Sequence, residues 1–311
     1  MDTIVAIIPT FNRREMLRDC LNALAAQTRP LNLMIVVDNG SADGTRQMIS
    51  NEFPEVQYVF IEKPCGSAGG FAEGFKIAMA QGYEWVWLMD NDAYPAPDGL
   101  ERLLNAAQSS TSKVFNSLVI APDGETINWG YHLYSGATYR DGVRTIKTVS
   151  EILSLGKPIL NGLAQFYPGA LLHRDVVSRV GVPTPGFFTR GDEVDYALRI
   201  QRAGFITLTV VASRVTHPLE PRIHIKFMGQ ELDYPWMSPM KQYYALRNAV
   251  INGRKYNFNG DASIRSYCRL FLSYCRMSLA LPDRQGLRLI YTAMAFADGI
   301  AGRLYVNNFV R

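Results

Sequence analysis

Short apolar runs alternate with helical patterns through the first 120 residues, and this alternation limits what the chain can fold into. Ile4–Ile8, Leu33–Val37, Val56–Ile61 and Trp85–Met89 read as buried strands. Arg14–Gln27, Asp43–Asn51, Phe71–Gln81 and Glu101–Gln108 carry helical periodicity. Strands and helices at this spacing imply right-handed βαβ units. The expected fold is α/β and Rossmann-like, a mainly parallel central sheet with flanking helices. Such sheets bind ligands beyond the carboxyl ends of their strands. The residues there are Pro9-Thr10-Phe11-Asn12, Asp38-Asn39-Gly40-Ser41, Glu62 to Gly70, and Asp90-Asn91-Asp92. All four segments are polar or glycine-rich.

The rest of the chain is less regular. Residues 121–163 read as an irregular insertion or hairpin. Strands are expected at Gln165–Leu172 and Ile206–Val211, with helices at Asp175–Val180 and from Asp192 to about Ala203. From about residue 238 the pattern is helical to the end, which sets a soft boundary near 235. Hydrophobic residues make up 48% and charged residues 19%, so a packed core is expected and a disordered chain is excluded.

Charge is unevenly placed. Residues 241–311 hold 11 Lys/Arg and 3 Asp/Glu, a balance of +8, against 21 and 25, a balance of −4, in residues 1–240. The basic end points to an anionic partner such as a membrane surface, or to a solvated helical face. The four cysteines show no Cys-x-x-Cys spacing, which argues against zinc-ribbon and thioredoxin chemistry and fits a reducing compartment. The first residues lack the pattern of a signal peptide. No stretch reaches the ~20 apolar residues that span a bilayer. Leu289–Gly302 comes closest and contains Asp298. The expected setting is the cytoplasm, at most peripheral on the inner face of the membrane. No nucleic-acid-binding motif is present.

Several clusters carry chemistry. In extended backbone, Asp90 and Asp92 point the same way and Asn91 points away, so both carboxylates can face one hard cation such as Mg²⁺ or Mn²⁺. His217, in a loop after a strand, can complete that site or simply be exposed. Cys65-Gly66-Ser67-Ala68-Gly69-Gly70 either lets backbone approach a phosphate or makes a tight turn under a closely packed helix. Asp38 either meets a base or ribose or serves turn chemistry with Ser41 and Asp43. Asp192-Glu193-Val194-Asp195 opens a helix, where carboxylates are stabilised by the dipole and one can act as a general base. Arg247-Asn248 follows Tyr243-Tyr244, and Arg247 either pairs with phosphate or makes a surface ion pair.

Together these motifs resemble family 2 inverting glycosyltransferases of the GT-A fold. The resemblance runs through Ile8 to Arg13, Val37 to Thr45, Gly66 to Phe75, Asp90-Asn91-Asp92 and Gly191 to Arg199, over roughly residues 3–220. Bacterial galactofuranosyl- and rhamnosyltransferases are the most similar branch, with a Gly-Gly-Phe stretch, an acidic triplet, a His and Tyr-Tyr-x-x-Arg-Asn in this order. The resemblance implies a GT-A domain at 1–235, with a nucleotide-sugar half at 1–120 and an acceptor half at 121–235. A basic helical region would follow at 236–311.

It also implies roles. Pro9, Thr10 and Arg13 would lie along the nucleotide, Asp38 would meet uracil or thymine, and Gly69-Gly70-Phe71 would pass the ribose and diphosphate. Asn91 and Arg247 count with this nucleotide side. Asp90, Asp92 and His217 would hold Mn²⁺ or Mg²⁺. The base position falls on Glu193, with Asp192 beside the acceptor. The family usually has Asp as its base, so Asp192 stays an alternative, and Asp195 completes the triplet. Gly191 stands where the galactofuranosyl branch often carries Trp. The implied donor is UDP-galactofuranose or dTDP-rhamnose. The implied acceptor is a glycan, carried on a polyprenyl diphosphate. Homo-oligomerisation stays open.

Two other classes are weighed. A nucleotidyltransferase would need a lysine- and glycine-rich loop after the first strand, where this chain has Thr10-Phe11-Asn12. A non-catalytic nucleotide- or glycan-binding protein would have little use for Asp90, Asp92, His217 and the acids at 192–195 together.

Overall fold

A computed structural model of the protein describes residues 2–136, 142–257 and 263–306. The first strand, β1 (Ile4–Thr10), is buried at all seven positions, as a continuous apolar run covered on both faces should be. α1 (Arg14–Ala25), β2 (Leu33–Asp38), α2 (Thr45–Glu52), β3 (Gln57–Phe60), α3 (Gly66–Ala80) and β4 (Trp85–Leu88) follow in the expected alternation. β1 pairs in parallel with β2 and β4, and β2 with β3. Side chains alternate along β1. Ile4, Ala6 and Ile8 face a cluster with Leu17, Leu21, Leu100 and Leu103. Val5 and Ile7 face the opposite cluster with Phe71, Phe75, Tyr196 and Ile200.

The chain continues through β5 (Tyr94–Pro95), α4 (Gly99–Gln108), β6 (Val114–Ile120), β7 (Thr126–Tyr134), β8 (Val143–Thr148), α5 (Val149–Ser154), β9 (Ile159–Leu163) and β10 (Ala170–His173). α6 (Arg174–Val180), α7 (Asp192–Arg202) and β11 (Thr207–Thr216) come next. The sheet runs β3-β2-β1-β4-β10-β6-β11-β9-β7-β8, with β5 paired to β11. Its centre is mainly parallel, but β10 is antiparallel to both β4 and β6. The segment 121–163, expected as an insertion or hairpin, is the antiparallel pair β7–β8 extended by β9. It has its own core of Leu118, Ile127, Tyr131, Ile146, Ile152 and Leu160.

The chain divides into two compact units, residues 1–185 with 196–219, and residues 186–195 with 220–311. The division near the C-terminal side falls at 219/220, where the sequence pointed to 235. The second unit holds the hairpin of β12 (Arg222–Phe227) and β13 (Gln230–Pro235), then α8 (Pro239–Tyr256), α9 (Ile264–Ala280) and α10 (Gln285–Ala301). Tyr243, Tyr244, Leu246, Val250, Tyr291 and Ala295 form its core. Among the described residues no helix is long and apolar enough to cross a membrane.

Candidate active site

Met89 N–H still follows the sheet, donating to the Ile7 carbonyl at 3.1 Å. The chain then turns, and Ala93 N–H donates to the Asp90 carbonyl at 3.1 Å. Asp90 and Asp92 therefore lie on a turn, and the expectation that strand alternation aims them together is corrected. The turn achieves the convergence instead. Asp90, Asp92 and His217 each offer a ligand atom, all within 4.8 Å of one another. Asn91 Nδ2 donates to Thr10 Oγ1 at 3.0 Å and ties the turn to the end of β1.

His217 follows β11 and is 8% exposed. Its N–H donates to the Ile120 carbonyl at 2.9 Å. Its Nδ1 lies 2.8 Å from the Pro218 carbonyl, and a carbonyl only accepts, so Nδ1 carries a proton. Nε2 faces Asp92 Oδ1 at 3.2 Å. Burial opposes the charged imidazole, but the hydrogen bond and charge of Asp92, and then the charge of Asp90, outweigh it and raise the His217 pKa. Burial likewise opposes ionisation of Asp92, but His217 and then Arg13 outweigh it and hold that carboxyl at about 2. Two carboxylates and one imidazole nitrogen, the ring fixed through its other nitrogen, fit Mg²⁺ or Mn²⁺.

Sequence reasoning missed two residues beside this centre. Asn128 Nδ2 donates to the His217 carbonyl at 2.8 Å, and the Trp129 ring meets the imidazole edge-on at 5.2 Å. Trp129 (φ 60°) and Gly130 (φ 75°) are consecutive left-handed residues where the β7–β8 register shifts. A bulge of this kind re-aims side chains next to a site. The dipeptide Trp-Gly inside a strand pattern was the available signal.

The nucleotide-side residues divide. Pro9 and Thr10 are buried at the end of β1, and Arg13 pairs with Asp92. Asp38 is fully buried, and its oxygens accept from Ser41 N–H at 2.8 Å and Tyr58 O–H at 2.6 Å. These bonds serve turn chemistry, one of the two roles expected of Asp38. The 66–70 stretch is not a loop. α3 starts at Gly66, so the stretch forms the first turns of that helix. A Cβ on Gly70 would come within 2.8 Å of Pro9, and one on Gly74 would overlap Ile7, so these glycines seat the helix on β1. Phe71 is fully buried, its ring 4.1 Å from that of Tyr167.

In the second unit, Phe188 (φ 65°), Arg190 (φ 62°) and Gly191 (φ 89°) lead into the acidic turn of α7. Left-handed backbone at non-glycine residues costs about 1–3 kcal/mol each and persists only when the surroundings impose it. α8 imposes it here. Asn248 Nδ2 donates to the Phe187 and Thr189 carbonyls, each at 2.9 Å. Asn252 Nδ2 donates to the Gly191 carbonyl at 2.8 Å. Arg247 is fully buried and gives its Nη atoms to the Tyr305 and Gly186 carbonyls at 2.7 Å and to Phe187 at 3.1 Å. Arg247 is thus not a surface ion pair, and its guanidinium is engaged by main-chain carbonyls of its own unit.

The triplet separates by role. Asp195 is fully buried and accepts from Lys255 Nζ at 2.8 Å and Tyr256 O–H at 2.6 Å, so it ties the start of α7 to α8. Asp192 is 2% exposed. Glu193 is half-buried, and its Oε2 accepts from Gly191 N–H at 2.9 Å, a local task the sequence did not show.

The family model described as Glycosyl transferase family 2 matches residues 5–175. The chain belongs to this family. Among relatives, the galactofuranosyltransferase GlfT1 of Mycolicibacterium smegmatis is 30% identical over 257 residues, 79% of this chain and 82% of that protein. The dTDP-rhamnosyl transferase RfbF of Shigella flexneri is 21% identical over 300 residues, 96% of each. Among solved structures, GalNAc-T7 with UDP, GalNAc and Mn²⁺ matches with a TM-score of 0.57 at 14% identity, covering 98% of this chain and 58% of that one. That likeness shows the fold, which is GT-A. The chain is a family 2 glycosyltransferase.

Proposed function

We propose that this glycosyltransferase moves galactofuranose from UDP-galactofuranose to a hydroxyl of a growing cell-surface glycan on a polyprenyl diphosphate, with inversion and with help from a divalent cation. The convergence of Asp90, Asp92 and His217 carries the metal-dependent reaction. The sugar rests on the relative named a galactofuranosyltransferase.

Asp90, Asp92 and His217 would hold Mn²⁺ or Mg²⁺. Bound there, the ion supplies positive charge for the diphosphate leaving group. Thr10 and Asn91 fix the turn that carries both carboxylates. Glu193 takes the proton of the acceptor hydroxyl, whose oxygen bonds to the anomeric carbon from the side opposite the phosphate. The sugar–phosphate bond breaks and its electron pair leaves with UDP. Glu193 suits the base better than Asp192, because Asp192 is almost wholly buried while Glu193 is half-buried. The reaction takes place at the cytoplasmic face of the membrane. α9 supports that setting, since it exposes Ile264, Leu272 and Leu279 beside Arg265 and Arg269, apolar and cationic groups that suit an anionic lipid surface.

A second donor, dTDP-rhamnose, is favoured by the relative named a dTDP-rhamnosyl transferase, which aligns over nearly all of both chains. Calorimetric titration with UDP, dTDP, GDP and ADP, with and without Mn²⁺, separates the two. UDP binding that Mn²⁺ strengthens and Asp92→Ala abolishes is the expected result. A preference for dTDP selects the rhamnose reading. Absence of nucleotide binding under every condition would overturn both.

A further inference from the structure

Arg13 stands between the two halves of the metal chemistry. Its Nη1 donates to Asp92 Oδ2, while His217 Nε2 takes Asp92 Oδ1. Both oxygens of one nearly buried carboxylate thus have nitrogen partners. The Asp92 side chain is 13% exposed and that of Arg13 is 39% exposed. Among the described residues Arg13 has no other carboxylate partner.

The backbone beneath Arg13 is pinned. Asn12 is left-handed (φ 49°), donates its N–H to Ser41 Oγ at 2.8 Å and accepts the Ala42 N–H on Oδ1 at 2.8 Å. Only the long side chain is left to move, and it already stands partly in solvent. A guanidinium on Asp92 Oδ2 and a dication on the same carboxylate repel each other and compete for one acceptor. A guanidinium is also a bidentate partner for phosphate oxygens.

We propose that Arg13 is an exchangeable counter-ion. It holds Asp92 until a divalent cation takes its place, and the released guanidinium then pairs with the diphosphate of the donor. Arg13 would in this way couple metal binding to nucleotide binding. The inference rests on the metal-dependent reaction proposed above.

Mn²⁺ titration of the intact protein tests it, with and without UDP, on the wild type, Arg13→Gln and Arg13→Lys. Without UDP, Arg13→Gln is expected to bind Mn²⁺ about tenfold tighter than the wild type, and Arg13→Lys to stay within about twofold of it. The factor by which UDP improves Mn²⁺ binding is expected to shrink about tenfold in Arg13→Gln, and by linkage Mn²⁺ improves UDP binding by that same reduced factor. A purely structural role predicts the reverse, because a loosened centre binds Mn²⁺ more weakly. Equal or weaker Mn²⁺ binding in Arg13→Gln, with the wild type binding normally, overturns the counter-ion role and leaves the transferase reading intact. A wild type that binds no Mn²⁺ with or without UDP overturns both together.

Discussion

The side-chain amide of Asn128 holds the main-chain carbonyl of His217 at 2.8 Å, so the bulge in β7 supports the backbone of the one histidine of the candidate metal centre. Outer partners of metal ligands typically affect affinity by 10–100-fold. Asn128→Ala is expected to weaken Mn²⁺ binding about tenfold while the far-ultraviolet spectrum stays unchanged. Calorimetry with Mn²⁺ and UDP checks this, and wild-type affinity in the variant would remove Asn128 from the account.

Glu193 and Asp195 should respond differently to loss of charge. Removing a general base typically costs about 10²–10⁴ in rate. Glu193→Gln is expected to lose turnover on that scale and keep UDP binding within about twofold. Asp195→Asn is expected to lower the melting temperature, because it breaks the pairing with Lys255 and Tyr256. Turnover that survives Glu193→Gln and vanishes in Asp192→Asn would move the base to Asp192.

Much of this was legible in the sequence, for physical reasons. Ile4–Ile8 and Leu33–Val37 read as strands because both faces of the central sheet are buried, leaving unbroken apolar runs. Asp90, Asp92 and His217 were legible because few residue types ligate hard cations and all three follow strands. The turn that joins them was not, because three residues carry too little pattern to separate a turn from a strand end. The start of α3 was hidden by its glycines. Glycine is a poor helix former, so a glycine-rich first turn reads as a loop. Gly70 and Gly74 are there to let the helix approach Pro9 and Ile7. The role of Arg247 was hidden as well, since charge alone points to solvent or phosphate. Only tertiary structure supplies the main-chain carbonyls of Gly186, Phe187 and Tyr305.

That role of Arg247 is open to test. Truncation leaves buried carbonyls without donors and opens a cavity, each a recognised route to large losses. Arg247→Ala is expected to cost about 3 kcal/mol or more in urea unfolding. At temperatures where the variant stays folded, its UDP affinity is expected to equal that of the wild type. A selective loss of UDP binding with normal stability would support the phosphate role.

Asp43 gives the fold a pH dependence. Burial works against its ionisation, but the Thr45 hydroxyl and the N–H groups of Arg14 and Thr45 outweigh it and lower the carboxyl below its ordinary value. A lowered folded pKa stabilises the fold above the unfolded value of about 3.9, and the contribution is lost as pH falls through the folded value. The urea midpoint of Asp43→Asn should therefore fall below that of the wild type at pH 7. The gap should narrow as pH drops toward 3. A gap independent of pH would show that the carboxylate charge is not what matters.

The most direct test is transfer itself. UDP-galactofuranose and a polyprenyl-diphosphate-linked glycan acceptor are incubated with the protein, with Mn²⁺ or with a chelator, and the product's anomeric configuration is read by proton NMR. The account predicts one galactofuranosyl product per UDP released, inverted at the anomeric carbon and lost with the chelator. A product of retained configuration, or full turnover in the chelator, would contradict it.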